Sequence, residues 1–143
     1  CATPVGGQDL VPTLFKFANV ELPWEMHGRD ITPLLQNPEA NSDHSVLIAY
    51  TARIYGSETR DLSQSTDKGS DIPWWVSYRK HNYKFIKNIL PGEIEELYDI
   101  NSDPEELINL AFYPEYQDRL KQLKCEMLAE LRRTDSPFVD QIN

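Results

Sequence analysis

The sequence has little of what self-contained catalytic sites are usually built from. Only two of its 143 residues are cysteines, Cys1 and Cys125, and neither sits in a C-x-x-C pair or a Cys/His cluster, which argues against a zinc site or a disulfide framework. One Cys1–Cys125 bridge stays open. The six glycines form no G-x-G-x-x-G or G-x-x-x-x-G-K loop, and G-x-S-x-G and D-x-D-x-D-G are also absent. Composition and spacing therefore give no catalytic site that the chain forms by itself.

Positive charge and long apolar runs are scarce as well. The chain has 14 Lys+Arg against 23 Asp+Glu, a net charge of −9, which disfavours nucleic-acid or anionic-membrane surfaces because both need clustered basic residues. No apolar run is long enough to span a membrane. The chain opens with Cys-Ala-Thr-Pro-Val-Gly-Gly, without an initiator methionine or a signal peptide. We therefore expect a piece of a longer protein, and the sequence leaves its cellular location unknown.

A first helix is predicted near the start of the chain. Asp9 is a suitable N-cap, Pro12 falls in the first turn, and Asn19 is a suitable end. The residues between them are almost all apolar, so this helix would be covered on most sides. Little later in the chain could cover it. We therefore expect its partner in upstream sequence, and either self-association of the chain or disorder before about residue 37 when that partner is missing.

Strands and a long helix are predicted after residue 37. Apolar runs and alternating patterns indicate four strands, at Ser45–Tyr50, Trp74–Arg79, Tyr83–Lys87 and Glu95–Ile100. Asp103, followed by Pro104, predicts a short helix. An apolar stripe predicts a long helix from about Glu115 to Arg133, and its members are Tyr116, Leu120, Leu123, Met127 and Leu131. The order predicts an α+β fold, in which a small antiparallel sheet is packed by a long C-terminal helix.

Few side chains stand out as candidate site residues. None of the three histidines has a nucleophile motif beside it; they are His27, His44 and His81. His81 is the best candidate because it is predicted at a hairpin turn beside the basic Arg79 and Lys80, where it could face an anionic ligand. Trp74 and Trp75 could stack on a sugar, although in a strand pair one of the two normally belongs to the core.

Four segments resemble conserved motifs of sulfatases in the alkaline phosphatase superfamily. ELYDINSDPEELINLA, from Glu96, resembles their carboxy-terminal ELYDL-x-x-DP-x-E-x-x-NLA segment. DLVPTLFKFANV, from Asp9, is similar to the DLxPTLLxLAGV helix that comes late in the large sulfatase domain. HGRDITPLL, from His27, resembles GxSLxPLL, and RKHNYKFI, from Arg79, resembles the RxxxYKYI strand. The matches occur in order over nearly the whole chain, which is thus identified as the C-terminal region of a sulfatase.

The resemblance implies a sulfuric ester or sulfamate hydrolase whose nucleophile is a formylglycine, made in a C-x-P-S-R-type motif and acting beside calcium or a similar divalent ion. Neither cysteine lies in such a motif, so no catalytic residue and no cofactor is assigned here; calcium and formylglycine are expected in the parent enzyme. Residues 1–36 correspond to the final helix and connector of a large α/β domain, and residues 37–143 to the C-terminal subdomain. Export of the parent is a family-level expectation.

In the family, this subdomain closes one side of the active-site cleft. The 18-residue polar loop Gly56–Pro73 and the turn at His81 are therefore the predicted rim. The predicted residues for binding a sulfated small molecule or sugar are Arg79, Lys80, His81 and Trp74. The expected partner is the missing N-terminal sulfatase domain. Two alternatives stay open: a non-catalytic binding module with a sulfatase-like fold, and a piece of a phosphodiesterase or phosphonate hydrolase of the same superfamily.

Overall fold

A four-stranded antiparallel sheet with a long helix on one face forms the centre of the molecule. The computed structural model describes residues 3–39, 43–61, 72–90 and 92–142. None of the helices within these ranges has the length and apolarity to cross a membrane. The helices and strands are α1 (Leu10–Phe17), α2 (Thr32–Gln36), β1 (Ser45–Tyr50), β2 (Trp75–Lys80), β3 (Tyr83–Asn88), β4 (Glu95–Asp99) and α3 (Gln117–Arg133). The predicted α+β architecture is confirmed.

The strands lie in chain order, β1-β2-β3-β4, and each pairs antiparallel with the next. The register pairs Tyr78 with Leu47 on one side and with Phe85 on the other. Because side chains alternate along a strand, these residues share one face of the sheet, which we call the helix face. Their neighbours Val46, Arg79 and Lys84 fall on the opposite face, where Val46 is buried. The predicted strand positions hold to within one or two residues.

The core lies between the helix face and α3. The predicted apolar stripe of α3 is buried at Leu120, Leu123, Met127 and Leu131, with spacings that put these residues on one side of the helix. They pack against the strand residues Val76, Tyr78, Phe85 and Leu97. Trp74, Phe138 and Ile142 close the end of this core. The helix is therefore held to the sheet by burial of its apolar stripe.

Helix α1 ends as predicted, but it does not begin as predicted. Asn19 has φ 53°, and the Val20 N–H donates to the Phe15 carbonyl, a Schellman ending in which asparagine takes the left-handed position. Asp9 stands at the N-cap position, but its side chain caps no N–H of α1. Its carboxylate instead accepts hydrogen bonds from Gly6 and Arg29. The prediction of Asp9 as a helix cap is wrong because tertiary donors occupy its oxygens.

The short helix predicted after Asp103 does not form. Glu106 adopts φ 58°, which interrupts a right-handed helix. The Asp103 carboxylate accepts the Ile108 N–H at 2.8 Å, which closes a wide turn in place of a helical one. Side-chain bonding competes here with the helix that Pro104 and the acidic residues favour. A helical turn follows only at Leu110–Phe112.

Several predictions concern residues outside the described ranges. Cys1 lies outside these ranges, so whether Cys1 and Cys125 pair stays open; Cys125 is exposed. The predicted rim loop begins with a helical turn at Gly56–Arg60, and its residues 62–71 also lie outside the described part. The proposed division after residue 36 stays a prediction as well. Hydrogen bonds between Asp9 and His44, and between Arg29 and Glu130, cross that boundary.

Candidate functional site

A polar cavity of about 240 Å³ lies at the end of the β2–β3 hairpin and is called the hairpin cavity below. It forms where the hairpin turn, the chain just before β1 and the first half of α3 meet. Two of the predicted site residues, Lys80 and His81, line this cavity. The full lining is Asp43, Lys80, His81, Asn82, Tyr83, Arg119, Gln122, Leu123 and Glu126.

His81 holds an unusual backbone conformation at the mouth of this cavity. It is the first residue of a two-residue turn between Lys80 and Tyr83, and its φ is 52°. This left-handed region normally favours glycine in such turns, and a larger residue pays a steric penalty there. The imidazole is half exposed, and its Nε2 lies 3.9 Å from Oδ1 of Asp43. A strained, exposed histidine on a rigid hairpin is well placed to contact a ligand.

Lys80 is charged but already paired. Its Nζ lies 2.8 Å from Oδ1 of Asp43 and 3.3 Å from Oε2 of Glu126. The hydrogen bond to Asp43 is the main cause that raises the pKa of Lys80; burial opposes the rise, and Glu126 adds to it. The same contact with Lys80 lowers the pKa of Asp43. These two carboxylates compensate the Lys80 charge, which leaves less of it for an anionic ligand.

Arg119 is a cavity residue that sequence reasoning missed. Its guanidinium carbon lies 5.0 Å from the centre of the Tyr83 ring, a cation–π contact, and Nη1 donates to Oε1 of Gln122 at 3.0 Å. No carboxylate pairs with Arg119 within the part of the chain that the structure describes. The available signal was the spacing of Arg119, Gln122 and Glu126, which puts them on one side of α3.

The other two predicted site residues lie elsewhere. Arg79 is on the face of the sheet opposite Lys80, because adjacent strand residues point to opposite faces. Trp74 is fully buried and meets Phe138 edge-on, with ring centres 6.3 Å apart. Trp74 has no surface available to a ligand in this structure. The structure thus brings together Lys80 and His81 and separates them from Arg79 and Trp74.

A second polar cluster joins the first 36 residues to the sheet and is called the cross-boundary network; it consists of Asp9, Arg29, His44 and Glu130. Asp9 is only 2% exposed, and its Oδ2 lies 2.9 Å from Nε2 of the buried His44. Burial acts to raise the pKa of Asp9, but hydrogen bonds from Arg29, Gly6 and His44 outweigh it, so the pKa is lowered. Nη2 of Arg29 lies 2.7 Å from Oε2 of Glu130.

Gly28 lets the connector approach α1 closely enough to complete this network. A β-carbon at Gly28 would lie 1.8 Å from the Gln8 carbonyl oxygen, so only glycine fits. The next residue, Arg29, donates its backbone N–H to Oδ1 of Asp9 at 2.9 Å. On the same stretch, the His27 carbonyl accepts a hydrogen bond from Arg133 at 2.7 Å. The network therefore positions the connector against both α1 and α3.

The described residues do not offer the calcium site that the family resemblance implies for the parent. Among them, no group of three or more histidine, cysteine or acidic side chains is placed to hold a metal ion. The carboxylates of the hairpin cavity, Asp43 and Glu126, instead face the Lys80 ammonium.

Comparison with known proteins gives one consistent family. Residues 4–134 match the family model described as "N-sulphoglucosamine sulphohydrolase, C-terminal". An arylsulfatase of Clostridium perfringens is 27% identical over 93% of this chain and 24% of its own length. A Delta 4,5-hexuronate-2-O-sulfatase of Bacteroides thetaiotaomicron is 30% identical over 80% of this chain and 21% of its own length. The chain thus spans about a quarter or less of these two relatives.

Solved structures share the fold over the same region. A 2-O GAG sulfatase superposes with a TM-score of 0.67 at 25% identity, over 91% of this chain and 25% of that one. A phosphonate monoester hydrolase of Agrobacterium radiobacter superposes with a TM-score of 0.61 at 20% identity, over 87% of this chain and 24% of that one. At that identity the second likeness concerns the fold alone.

Proposed function

The chain belongs to the N-sulphoglucosamine sulphohydrolase C-terminal family, and from this premise we propose that it is the C-terminal part of a sulfatase-like sulfuric ester hydrolase. The observation that carries the proposal is the extent of the match. It covers residues 4–134, nearly the whole chain, while the same region makes up only 24% of the arylsulfatase relative. In this proposal the nucleophile and its metal belong to the remainder of the polypeptide, and these residues shape the substrate cleft.

The hairpin cavity is the part of this chain that we assign to the cleft rim. His81 Nε2 lies 3.9 Å from Asp43, and the Arg119 guanidinium pairs with no carboxylate among the described residues, whereas Lys80 is compensated by Asp43 and Glu126. Arg119 suits an oxyanion because its planar fork can donate two parallel hydrogen bonds. We therefore expect His81 and Arg119, with Lys80 in support, to contact a sulfated small molecule or sugar.

Rim substitutions should weaken substrate binding without stopping the chemistry. In the full-length protein, His81→Ala and Arg119→Ala should each raise KM for a sulfated oligosaccharide about three- to tenfold at nearly constant kcat, because contacts remote from the reacting bond act mainly on binding. Steady-state kinetics on that substrate and on a small aryl sulfate measure this. The rise in KM should be smaller for the small aryl sulfate.

Lys121→Ala is the matched control for this experiment. Lys121 lies on α3 but is highly exposed, and its one ion pair within the described ranges is with Asp118, at 3.9 Å. Its KM should therefore equal that of the wild type. If His81→Ala and Arg119→Ala leave KM unchanged for both substrates, or if Lys121→Ala raises it equally, the rim assignment is wrong.

The chain of 143 residues should show no sulfatase activity alone. We expect no turnover of an aryl sulfate in the presence of calcium, because no nucleophile motif is present in its sequence. A chromogenic aryl sulfate assay on the purified chain measures this, with an intact sulfatase as positive control. Turnover that co-purifies with this chain would refute the proposal that the nucleophile lies in the remainder of the polypeptide.

The sequence that precedes Cys1 in the gene distinguishes two other assignments from the sulfatase assignment. The fold likeness to phosphonate monoester hydrolases favours a parent of that chemistry as the second candidate. A C-x-P-S-R motif upstream, with turnover of sulfate esters by the whole protein, supports the sulfatase assignment. Turnover of phosphonate monoesters in its place supports the second candidate. An upstream region without any nucleophile motif would favour a non-catalytic binding module.

A further inference from the structure

The hairpin cavity offers a ligand two accessible groups, one on the hairpin and one on α3. The His81 side chain is 51% exposed at the cavity mouth. Arg119 is exposed as well, and its Nη1 is the one guanidinium nitrogen with a hydrogen-bond acceptor among the described residues, Oε1 of Gln122. Its Nε and Nη2 form the side of the fork that can donate two parallel hydrogen bonds to an oxyanion. Both groups can therefore be reached from solvent.

Two contacts at the end of β4 fix the turn that carries His81. The Asn82 side chain donates to Oδ1 of Asp99 at 2.9 Å, and the Ile100 N–H donates to the Asn82 carbonyl at 2.8 Å. Oδ1 of Asp99 also accepts the Asn101 N–H, and Asp99 is not part of the cavity lining. The His81 backbone is therefore held at the mouth before any ligand arrives.

The charge of the hairpin cavity depends on His81. Lys80 and Arg119 contribute two positive charges to the lining, and Asp43 and Glu126 contribute two negative ones. The other lining residues are uncharged: Asn82, Tyr83, Gln122 and Leu123. The two pairs of charges cancel, so the cavity is neutral while His81 is neutral and gains a net positive charge when His81 is protonated.

Asp43 does not cancel that added charge. Its Oδ1 lies 2.8 Å from Nζ of Lys80 and 3.9 Å from Nε2 of His81, so the lysine has the close contact. The Asp43 side chain is also largely exposed, and solvent weakens an ion pair at such a position. Histidine is the side chain whose charge ordinarily changes between pH 5 and pH 8. The cavity should therefore attract an anion more strongly at pH 5 than at pH 8.

An anion in this cavity is not the group that reacts. This step rests on the proposed function, which puts the nucleophile and its metal in the remainder of the polypeptide. The reacting sulfate has to lie beside those groups, and a rim residue that acts on binding contacts a different part of the substrate. A water molecule takes up about 30 Å³ in the liquid. A cavity of about 240 Å³ therefore has room for one further anionic group and some of its water.

We propose that the hairpin cavity binds a second anionic group of the sulfated substrate, one that is not hydrolysed, and that protonation of His81 strengthens this binding. The group is an oxyanion held by the Arg119 fork and the His81 imidazolium. A second sulfate and a uronic-acid carboxylate share this chemistry. The whole enzyme then selects substrates that carry two anionic groups, and it does so more strongly in acidic surroundings.

The test uses the full-length protein and its hydrolysis of a chromogenic aryl sulfate. Diacetylchitobiose 6′-sulfate and diacetylchitobiose 6,6′-disulfate are compared as competitive inhibitors at pH 5 and at pH 8, at equal ionic strength. The ratio of their inhibition constants isolates the second sulfate, because effects of pH on the nucleophile act on both inhibitors. We expect the disulfate to bind about three- to fivefold tighter than the monosulfate at pH 5, and nearly equally at pH 8.

A third disaccharide distinguishes the two kinds of oxyanion. It carries a carboxylate at the position of the second sulfate. Inhibition at pH 5 as tight as that by the disulfate indicates a site for either oxyanion, and weaker inhibition indicates a sulfate site. If neither compound inhibits more tightly than the monosulfate, the proposal is overturned.

Three variants sharpen this test. His81→Asn tolerates the left-handed backbone but stays neutral, so the ratio of inhibition constants should no longer change with pH. Arg119→Lys keeps the charge but loses the fork, and the ratio at pH 5 should fall about twofold or more. Lys121→Ala, which is exposed on α3 and outside the cavity lining, should keep both wild-type ratios.

Failure of this proposal can be told from failure of the proposed function. Turnover of the aryl sulfate with a wild-type ratio near one at both pH values overturns the second-anion site alone. A preference at pH 5 that His81→Asn retains in full overturns the role of His81. If the full-length protein hydrolyses no sulfate ester, the proposed function is wrong and the second-anion site is wrong with it.

Discussion

Trp74→Ala is expected to lower the free energy of unfolding by about 3–5 kcal/mol, enough to remove most of the stability of a domain of this size. Trp74 is fully buried where the sheet meets the C-terminal residues, and its ring contacts Phe138 edge-on. The substitution leaves a cavity that the rigid sheet beneath it fills poorly. Urea unfolding followed by circular dichroism measures the change.

Two further variants distinguish packing from ligand contact. Trp74→Phe should cost less than Trp74→Ala, because it keeps a ring and removes the buried Nε1 donor, which has no hydrogen-bond partner among the described residues. Trp75→Ala, at the half-buried neighbour that stacks on Tyr50 with ring centres 5.6 Å apart, should cost about 1–2 kcal/mol. Equal losses at Trp74 and Trp75 would show that Trp74 is not the core residue described here.

Asp9→Ala is expected to lower the free energy of unfolding by about 3 kcal/mol and to loosen α1. The substitution leaves the Gly6 and Arg29 N–H groups without their acceptor and His44 without its carboxylate partner. Asp9→Asn keeps one acceptor oxygen and should lower the free energy of unfolding by roughly half as much as Asp9→Ala. Urea unfolding measures the loss, and hydrogen exchange at residues 10–17 should be accelerated more than exchange in the sheet.

The Asp9 contribution should also depend on pH in a defined direction. The pKa of Asp9 is lowered in the folded chain, so the carboxylate contributes its full stability above the ordinary pKa of 3.8. That contribution is lost as the pH falls through 3.8 toward the lower folded value. The difference in unfolding free energy between wild type and Asp9→Asn should therefore shrink between pH 7 and pH 3. A difference that stays constant or widens contradicts the assignment.

Asp30→Asn is the matched control for both Asp9 experiments. Asp30 lies in the same connector, but it is exposed, and among the described residues its side chain bonds only to Thr32, two residues away. Its substitution should change the free energy of unfolding by no more than about 0.5 kcal/mol. A loss comparable with that of Asp9→Ala would mean that any acidic residue in this segment matters equally.

Local pattern was sufficient to predict the sheet and its covering helix. The strand Ser45–Tyr50 reads as a short apolar run, and the stripe from Leu120 to Leu131 has helical spacing. Asn19 ends α1 because asparagine tolerates the left-handed conformation. These signals are contained within a few consecutive residues, so no knowledge of the tertiary structure is needed to use them.

Long-range pairing explains what the sequence did not reveal. Asp9 reads as a helix cap, but His44 and Arg29, 35 and 20 residues away, take its oxygens. Glu106 reads as part of a helix, but it forms an ion pair with Lys84 on β3. The sequence predicts Arg79 and Lys80 as parts of one basic site, although the side chains of adjacent strand residues point to opposite faces of the sheet. For Asp9 and Glu106 the deciding partner is distant in sequence, and only the folded chain brings it near.

The cross-boundary network has a consequence for how this region can be rebuilt. Its bonds pass between side chains on either side of residue 37 and do not depend on the peptide path through residues 37–39. A backbone opened there would leave two pieces that recognise each other, as the halves of a split reporter do. The chain can therefore be divided at this point into two co-expressed pieces, from which we expect helix α1 and the sheet to reassemble by complementation.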